Sequence, residues 1–143
     1  IYRHANNPLM DAMIRRLREP HFAALFPKGR IGATGLLRTL ANGKPVGLLV
    51  DQKMNNGVEL PFLGLPSMTA TAAAELALKT GAPLFLGRIV RLHGSHFRAE
   101  MVQVPIAPGQ TAIDIMRHVN DQLSQWIVEY PSQWLWIHRR WGK

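Results

Sequence analysis

A short apolar run in the middle of the chain places the strongest constraint on its fold. The residues Val46-Gly47-Leu48-Leu49-Val50 are uninterrupted by polar side chains, and Pro45 precedes them. Such a run, bounded by breakers, is typical of a strand buried on both faces, as in parallel α/β sheets. Asp51 and Gln52 follow at once. Because ligands of these sheets gather at the carboxyl ends of the strands, we expect both polar side chains to lie at the functional edge.

Helix signals surround this predicted strand. Asn7 followed by Pro8 fits an N-cap and the first helical position, and Thr111 with Asp114 three residues later resembles a capping box. Gly81 fits a C-cap after an alanine-rich stretch. Together with the spacing of apolar residues, these signals predict four helices, at residues 8–19, 35–42, 69–80 and 112–130.

The remaining segments complete an α/β pattern. Residues 84–91 and the alternating segment from Phe97 predict two strands joined by a hairpin turn near 93–95. Residues 53–66 are rich in turn formers and predict a loop, although they contain the apolar insert Leu60 to Leu63. The order of elements predicts one α/β domain over residues 1–143, with a mainly parallel or mixed sheet flanked by helices.

The charge of the chain is strongly positive. Seventeen Lys and Arg against nine Asp and Glu give a formal net charge of +8. This balance favours a polyanionic partner, and nucleic acid, anionic lipid head groups and an acidic carrier protein satisfy it equally well. The predicted helix 8–19 carries Arg15, Arg16 and Arg18, which form either a docking surface or an ordinary solvated face.

Composition also narrows the chemistry. The chain has no cysteine, which removes thiol catalysis and thiolate metal sites. Its six histidines lack the spacing of metal-binding helix motifs, so we predict no metal site. We also predict no cofactor. Asp51 is the main candidate carboxylate. A carboxylate at the end of a buried strand must be paired or hydrogen-bonded, and it is either a structural anchor or an active-site group.

Two features of the sequence bear on whether the chain spans a membrane or carries a signal: its longest apolar runs and its first residues. The apolar runs are the length of strands and too short for a spanning helix. The chain begins with Ile1-Tyr2-Arg3, with neither an initiator Met nor a signal-like region. We therefore expect it to be a piece of a longer protein.

Several separate motifs, in order along nearly the whole chain, resemble one family. They are Tyr2-Arg3 with Asn6-Asn7-Pro8, Gly47 to Gln52, Leu60 to Gly64, Ala77 to Pro83, and Pro131 to Arg140. The chain resembles the bacterial lipid A biosynthesis acyltransferases, the lauroyl and myristoyl transferases. The resemblance implies a glycerolphosphate-acyltransferase-like fold at the cytoplasmic face of the inner membrane. It also implies transfer of a fatty acyl chain from an acyl carrier protein thioester to a hydroxyl of a lipid A precursor.

The signature of that family is His-x-x-x-x-Asp or Glu, in which the histidine deprotonates the acceptor hydroxyl. Each of the six histidines is followed five positions later by another residue type, namely Leu9, Phe26, Arg98, Met101, Leu123 and Lys143. In the family the signature lies upstream of the Tyr-Arg motif. We therefore expect an N-terminally truncated, C-terminal portion of the catalytic domain that is inactive by itself.

The resemblance assigns site residues to the remaining motifs. Catalytic roles fall to Arg3 and Asp51, and substrate binding to Arg3, Asn6, Gln52, Pro61, Phe62 and Gly64. Arg3 is expected to pair with an acceptor phosphate, and Asp51 with Gln52 to hold Arg3 or to position the acceptor. The Leu60 to Leu63 insert is expected to line the acyl channel or to dip into the bilayer surface. Leu63 stands where family members often have Phe.

Docking is expected from helix 8–19 and from the Arg139-Arg140 tail, which suit an anionic bilayer or an acidic carrier. Two alternatives remain. A nucleic-acid-binding domain predicts aromatic side chains interleaved with Lys and Arg on an exposed sheet, whereas the aromatic residues here cluster between Trp126 and Trp141. We therefore expect no nucleic-acid partner. A non-catalytic, basic peripheral-membrane module shares the basic helix and the tryptophans.

Overall fold

The computed structural model describes residues 5–21, 24–26 and 29–142, which form two compact units, Ile1–Leu49 and Val50–Lys143. The first unit contains helices α1 (Pro8–Arg18) and α2 (Arg30–Ala41), with a 3₁₀ turn at Glu19–His21. The second contains strands β1 (Lys53–Phe62), β2 (Leu65–Thr69), β3 (Leu84–Arg91) and β4 (Phe97–Val104). It also contains helices α3 (Ala72–Thr80) and α4 (Ala112–Glu129) and a 3₁₀ turn at Pro131–Gln133.

The first helix forms as its caps predict. The Asn7 side chain accepts a hydrogen bond from the Leu9 N–H at 2.9 Å, and Pro8 occupies the first helical position. Helix α2 begins at Arg30, earlier than the predicted residue 35. Gly35 is a packing residue within it, because a Cβ atom there would overlap the Phe26 ring.

The predicted buried strand at 46–50 is wrong. Residues 44–50 have no regular secondary structure, and the Leu49 side chain is 80 % exposed. A strand buried on both faces needs hydrogen-bonded neighbours on both sides, and in the described part of the chain every paired strand belongs to a local hairpin. The mainly parallel sheet predicted from this run is therefore absent from the described residues.

The predicted loop at 53–66 is a β-hairpin. Strands β1 and β2 pair in antiparallel register, with Phe62 opposite Leu65. Leu63 (φ 50°) and Gly64 (φ 75°) form the two-residue turn, whose backbone needs positive φ values. Gly57 lies at an irregularity of β1, where a Cβ atom would collide with the Thr69 carbonyl group. Gly57 and Gly64 are therefore part of the hairpin and do not interrupt it.

The remaining elements of the second unit confirm the predictions. Strands β3 and β4 form the antiparallel hairpin expected around residues 93–95. Helix α3 ends at Gly81 in the left-handed conformation, and α4 begins with the Thr111–Asp114 capping box. The core of this unit is built mainly from α3, α4 and the strands, with buried Leu60, Phe62, Ala74, Leu86, Val90, Val104, Ile115, Met116, Val119 and Ile127.

The described residues thus show a mixed α/β architecture with four α-helices and two two-stranded antiparallel sheets. Among them, no helix combines the length and the apolar character needed to cross a bilayer. That the chain is a single domain over 1–143 stays a prediction.

Candidate functional site

The predicted site residues are distributed over both units. Arg3 lies outside the described residues. Asn6 is exposed at a bend before α1, in the first unit. Asp51, Gln52, Pro61, Phe62 and Gly64 all belong to the second unit, where β1 and β2 carry or adjoin them.

Asp51 is held in place by the chain's C-terminal end. Its half-buried carboxylate accepts a hydrogen bond from the Trp134 indole N–H at 3.3 Å. Two residues further on, the Lys53 N–H donates to His138 Nε2 at 3.0 Å. Gln52 lies between them with an exposed side chain. Residues 131–142, the tryptophan segment, therefore fix the backbone and the carboxylate at the start of β1.

The most buried charged side chain of the described residues is Arg140, which is 0 % exposed. Its Nη1 donates to Ser67 Oγ at 2.5 Å and to the Met68 carbonyl oxygen at 2.7 Å. Its Nη2 donates to Thr69 Oγ1 at 2.9 Å. The guanidinium carbon lies 4.6 Å from the centre of the Phe62 ring, within range of a cation–π interaction. Arg140 thus fastens the tryptophan segment to β2.

Helix α4 contributes one amide to this cluster. Asn120 Nδ2 donates to the Pro61 carbonyl oxygen at 2.9 Å and to Thr69 Oγ1 at 3.1 Å. Thr69 therefore accepts from both Asn120 and Arg140, and it connects a helix, a strand and the tryptophan segment. We call Phe62, Ser67, Met68, Thr69, Asn120 and Arg140 the arginine cluster.

Two polar atoms of the arginine cluster have no hydrogen-bond partner among the residues that the structure describes. They are Arg140 Nε and Asn120 Oδ1, and both are buried. Buried polar groups of folded proteins are nearly always paired, so each of these atoms carries a desolvation cost. The hydrogen bonds of the other groups in the cluster therefore have to offset the desolvation cost of these two atoms.

Aromatic rings enclose the arginine cluster. The Phe62 ring lies 5.6 Å from Trp134 and 5.8 Å from Trp141, measured between ring centroids. The Trp141 indole N–H donates to the Phe62 carbonyl oxygen at 3.1 Å. Because the same Trp134 also holds Asp51, the aromatic packing links the candidate carboxylate to the buried arginine.

The electrostatics of the cluster follow from its burial. Burial lowers the pKa of the Arg140 guanidinium, and the negative charge of Asp51 opposes that effect. An arginine remains protonated in either case. Within the described ranges Arg140 has no carboxylate in ion-pair contact, so hydroxyl, carbonyl and aromatic groups solvate its charge.

These contacts change the interpretation of the Arg139-Arg140 tail and of predicted residues in the hairpin of β1 and β2. The Arg139-Arg140 tail was predicted to dock, but Arg140 is fully buried and Arg139 alone is exposed. Phe62 is a core residue at 0 % exposure, so neither it nor the buried Leu60 can enter a bilayer in this structure. Pro61 is exposed while its carbonyl oxygen is used by Asn120, and Gly64 is exposed at the hairpin turn.

Sequence reasoning missed Ser67, Thr69 and Asn120. Ser67 and Thr69 are alternate residues of β2 and share its buried face, a pattern hidden by the loop prediction for this region. Asn120 lies on the apolar face of α4, one position after Val119 and four after Met116. A single amide within an apolar helical stripe is the signal that would have identified it.

The arrangement supports an orienting role more readily than proton transfer. A half-buried carboxylate with one oxygen held by an indole keeps a fixed direction, which suits positioning of a hydroxyl or a cation. Arg140 is enclosed on all sides and cannot contact a ligand that arrives from solvent. Asp51 and the exposed Gln52 are therefore the accessible polar groups of the candidate site.

The sequence was also compared with known proteins. Residues 1–143 match the family model described as "Bacterial lipid A biosynthesis acyltransferase". The comparison with curated proteins found no match. The matched range contains every motif on which the sequence resemblance rests, from Tyr2-Arg3 to the Arg140 tail.

Proposed function

Since the chain belongs to the bacterial lipid A biosynthesis acyltransferase family, we propose that the protein transfers a fatty acyl chain from acyl carrier protein to a hydroxyl of a lipid A precursor. The observation that carries this proposal is the family match over the full 143 residues. As part of this proposal, we assign the reaction to the cytoplasmic face of the inner membrane, where an acyl carrier protein and a lipid acceptor can meet.

The proposed step is attack of the acceptor hydroxyl on the thioester carbonyl carbon. The new ester C–O bond forms, the C–S bond breaks, and the hydroxyl proton is transferred so that the carrier leaves as a thiol. The 143-residue sequence contains no His-x-x-x-x-Asp or His-x-x-x-x-Glu signature, so we assign no general base within it.

We assign the acceptor side of the reaction to Arg3 and Asp51. Arg3 pairs with an acceptor phosphate, while Asp51, held by Trp134, orients the acceptor. Gln52 is exposed beside Asp51 and adds an amide for hydrogen bonding to the acceptor, and we also assign substrate binding to Asn6 of the first unit. Pro61 and Gly64 are exposed residues at the hairpin end of β1, where we assign them to substrate binding, and Phe62 supports them from the core.

The charge supports the two macromolecular partners. A net charge of +8 suits both an acidic carrier protein and an anionic membrane surface. Attraction of this kind weakens with salt, because the Debye length shortens to about 8 Å at physiological ionic strength.

The test is an acyl-transfer assay on the 143-residue chain and on the complete gene product. Acyl carrier protein charged with a labelled fatty acid is the donor, and a purified lipid A precursor is the acceptor. We expect the complete gene product to add one acyl chain to the precursor, as measured by mass spectrometry. If neither acyl carrier protein thioesters nor coenzyme A thioesters acylate the precursor, the proposal is overturned. Acylation with coenzyme A thioesters alone would overturn the proposed donor.

The assignment of Asp51 has its own matched control. Asp51→Asn keeps the shape of the side chain and removes its charge, and Asp121→Asn makes the same change at an exposed position of α4. We expect Asp51→Asn to lower kcat at least tenfold and Asp121→Asn to leave it unchanged. Equal turnover of the two folded variants would make Asp51 a structural anchor.

A further inference from the structure

Helix α1 presents a row of large apolar side chains to solvent. No residue of this helix is buried, and Leu9 and Leu17 are 81 % and 65 % exposed. Met10 and Met13 are also exposed, and Ile14 is half-buried. Large exposed apolar patches of this kind are uncommon on proteins without a partner and mark interaction surfaces.

The exposed residues form one stripe. At 100° per residue, the apolar side chains of α1 fall within an arc of about 140°. We call this set the apolar stripe, and it comprises Leu9, Met10, Met13, Ile14 and Leu17. The sequence thus places every large apolar residue of α1 on one side of the helix.

Two exposed arginines border the apolar stripe. Arg16 lies about 20° beyond Leu9 on one side, and Arg18 lies about 40° beyond Ile14 on the other. Both side chains are exposed. The only acidic residue of the helix is Asp11 in its first turn, and its Oδ1 accepts from the Ala5 N–H at 2.9 Å. Helix α1 therefore combines an apolar stripe with a positively charged border.

We propose that α1 is an interfacial helix that lies flat on an anionic lipid surface, with the apolar stripe inserted and Arg16 and Arg18 among the head groups. The length of α1 is about 16 Å, which is too short to cross a bilayer but sufficient to lie within its interface. The proposal gives the membrane partner of the proposed function a specific contact, and it rests on that function only for its biological setting.

A lipid surface fits α1 better than an acidic protein does. Long arginine side chains beside an apolar stripe reach the head groups while their methylene stems stay with the acyl chains. An acidic protein surface without apolar residues would neutralise the arginines and leave the exposed leucines and methionines in water. An anionic bilayer satisfies both sets of groups at once, and this complementarity selects it as the occupant.

The first experiment measures sedimentation of the 143-residue chain with phosphatidylcholine vesicles that contain 30 % phosphatidylglycerol. Met13→Ser with Leu17→Ser disrupts the apolar stripe, and Val128→Ser is the control at an exposed position of α4. Arg16→Gln with Arg18→Gln removes the border charge, and Arg117→Gln is its control. Circular dichroism checks that each variant is folded.

We expect the stripe variant to bind at least tenfold more weakly than the unchanged chain. The border variant should bind about tenfold more weakly at low salt, and this difference should shrink at 0.5 M salt. Both controls should stay within twofold. Unchanged vesicle binding by the folded stripe variant would overturn the proposal. So would a border variant that loses affinity for acyl carrier protein while it binds vesicles normally.

A second experiment reports insertion directly. Because the chain has no cysteine, Met13→Cys and Ala12→Cys each provide a single site for an environment-sensitive fluorophore. The label at residue 13 should shift to shorter wavelength with anionic vesicles, and the label at residue 12, outside the stripe, should shift less. Equal shifts would overturn the proposed orientation. Acyl transfer to a detergent-dispersed acceptor by the α1 variants of the complete gene product tests the proposed function separately, since vesicle binding is not needed there.

Discussion

Two segments with similar residue content differ in how deeply their side chains are buried. Helix α1 and the tryptophan segment each combine adjacent arginines with large apolar residues, Arg15-Arg16 in one and Arg139-Arg140 in the other. In α1 no residue is buried, whereas Arg140 is completely enclosed within its unit. Arginine pairs alone therefore do not identify a docking surface.

The difference lies in the acceptors that surround each arginine. Burial of a guanidinium is unfavourable unless hydrogen bonds replace its water. Arg140 finds Ser67 Oγ, the Met68 carbonyl oxygen and Thr69 Oγ1, and the Phe62 ring lies beneath it. Arg16 and Arg18 of α1 are exposed and retain their water, which leaves these two side chains available to a charged surface.

The largest expected effect tests the buried side of this comparison. Arg140→Ala removes the donors of three acceptors and leaves a cavity against Phe62. We expect a loss of about 3–5 kcal/mol in the free energy of unfolding. Urea denaturation measures it, with Arg139→Ala as the exposed neighbour that should change by less than about 0.5 kcal/mol. Similar losses for both variants would contradict the buried role of Arg140.

The amide of α4 should have the next largest effect. Asn120→Ala leaves the Pro61 carbonyl oxygen and Thr69 Oγ1 without their shared donor. A buried group left unpaired typically costs about 1–3 kcal/mol, and we expect a value near the middle of that range. Asp121→Ala, one residue further along the same helix and exposed, is the control in the same urea experiment. A smaller loss for Asn120→Ala than for the control would show that the amide does not support β1 and β2.

The capping box of α4 gives a smaller, pH-dependent effect. Thr111→Ala should cost about 1 kcal/mol, the usual contribution of an N-cap. The hydroxyl and the N–H of Thr111 donate to the Asp114 carboxylate and hold its pKa below the usual value. This stabilisation is complete above the ordinary Asp pKa and is lost as pH falls through the lowered pKa. The unfolding temperatures of the unchanged chain and of Asp114→Asn should therefore converge in acid. A constant difference between the two temperatures at all pH values would contradict a contribution from the ionised Asp114 carboxylate.

The smallest effect on stability belongs to α1. Arg16→Ala and Arg18→Ala remove exposed side chains from a helix that buries none of its residues, so each should change the free energy of unfolding by less than about 0.5 kcal/mol. Urea denaturation checks this alongside the Arg140 series. A loss above about 1 kcal/mol would show that α1 is a structural element and would weaken the contrast with the tryptophan segment.

Much of the local structure could be predicted because its signals are local. The Asn7 cap, the Thr111–Asp114 capping box, the Gly81 C-cap and the hairpin after β3 all depend on neighbouring residues. The hairpin of β1 and β2 was missed since its glycines and prolines suggested a loop. Gly57 and Gly64 serve an irregular strand and a tight turn, and both uses allow strand pairing around them.

The candidate site was only partly predictable. Asp51 could be expected to need a hydrogen-bond partner, and Trp134 provides it from 83 residues away. The choice of that partner depends on how the tryptophan segment packs, which local spacing does not specify. For the same reason Ser67 and Thr69 gave no functional signal, because each becomes important only when Arg140 lies beside it. Asn120 gave only the signal of a single amide within an apolar helical stripe.

The sequence by itself determined the family, the positive charge, the caps of α1 and α4, and the amphipathic character of both helices. These properties are set by residue identity and short-range spacing, over which backbone hydrogen bonds and helical periodicity act directly. Tertiary structure decided that Leu49 is exposed, that Phe62 is core and that Arg140 is buried while Arg139 is not. Burial depends on which distant groups supply apolar contact and hydrogen bonds, so the same side chain is stable in water at one position and in the interior at another.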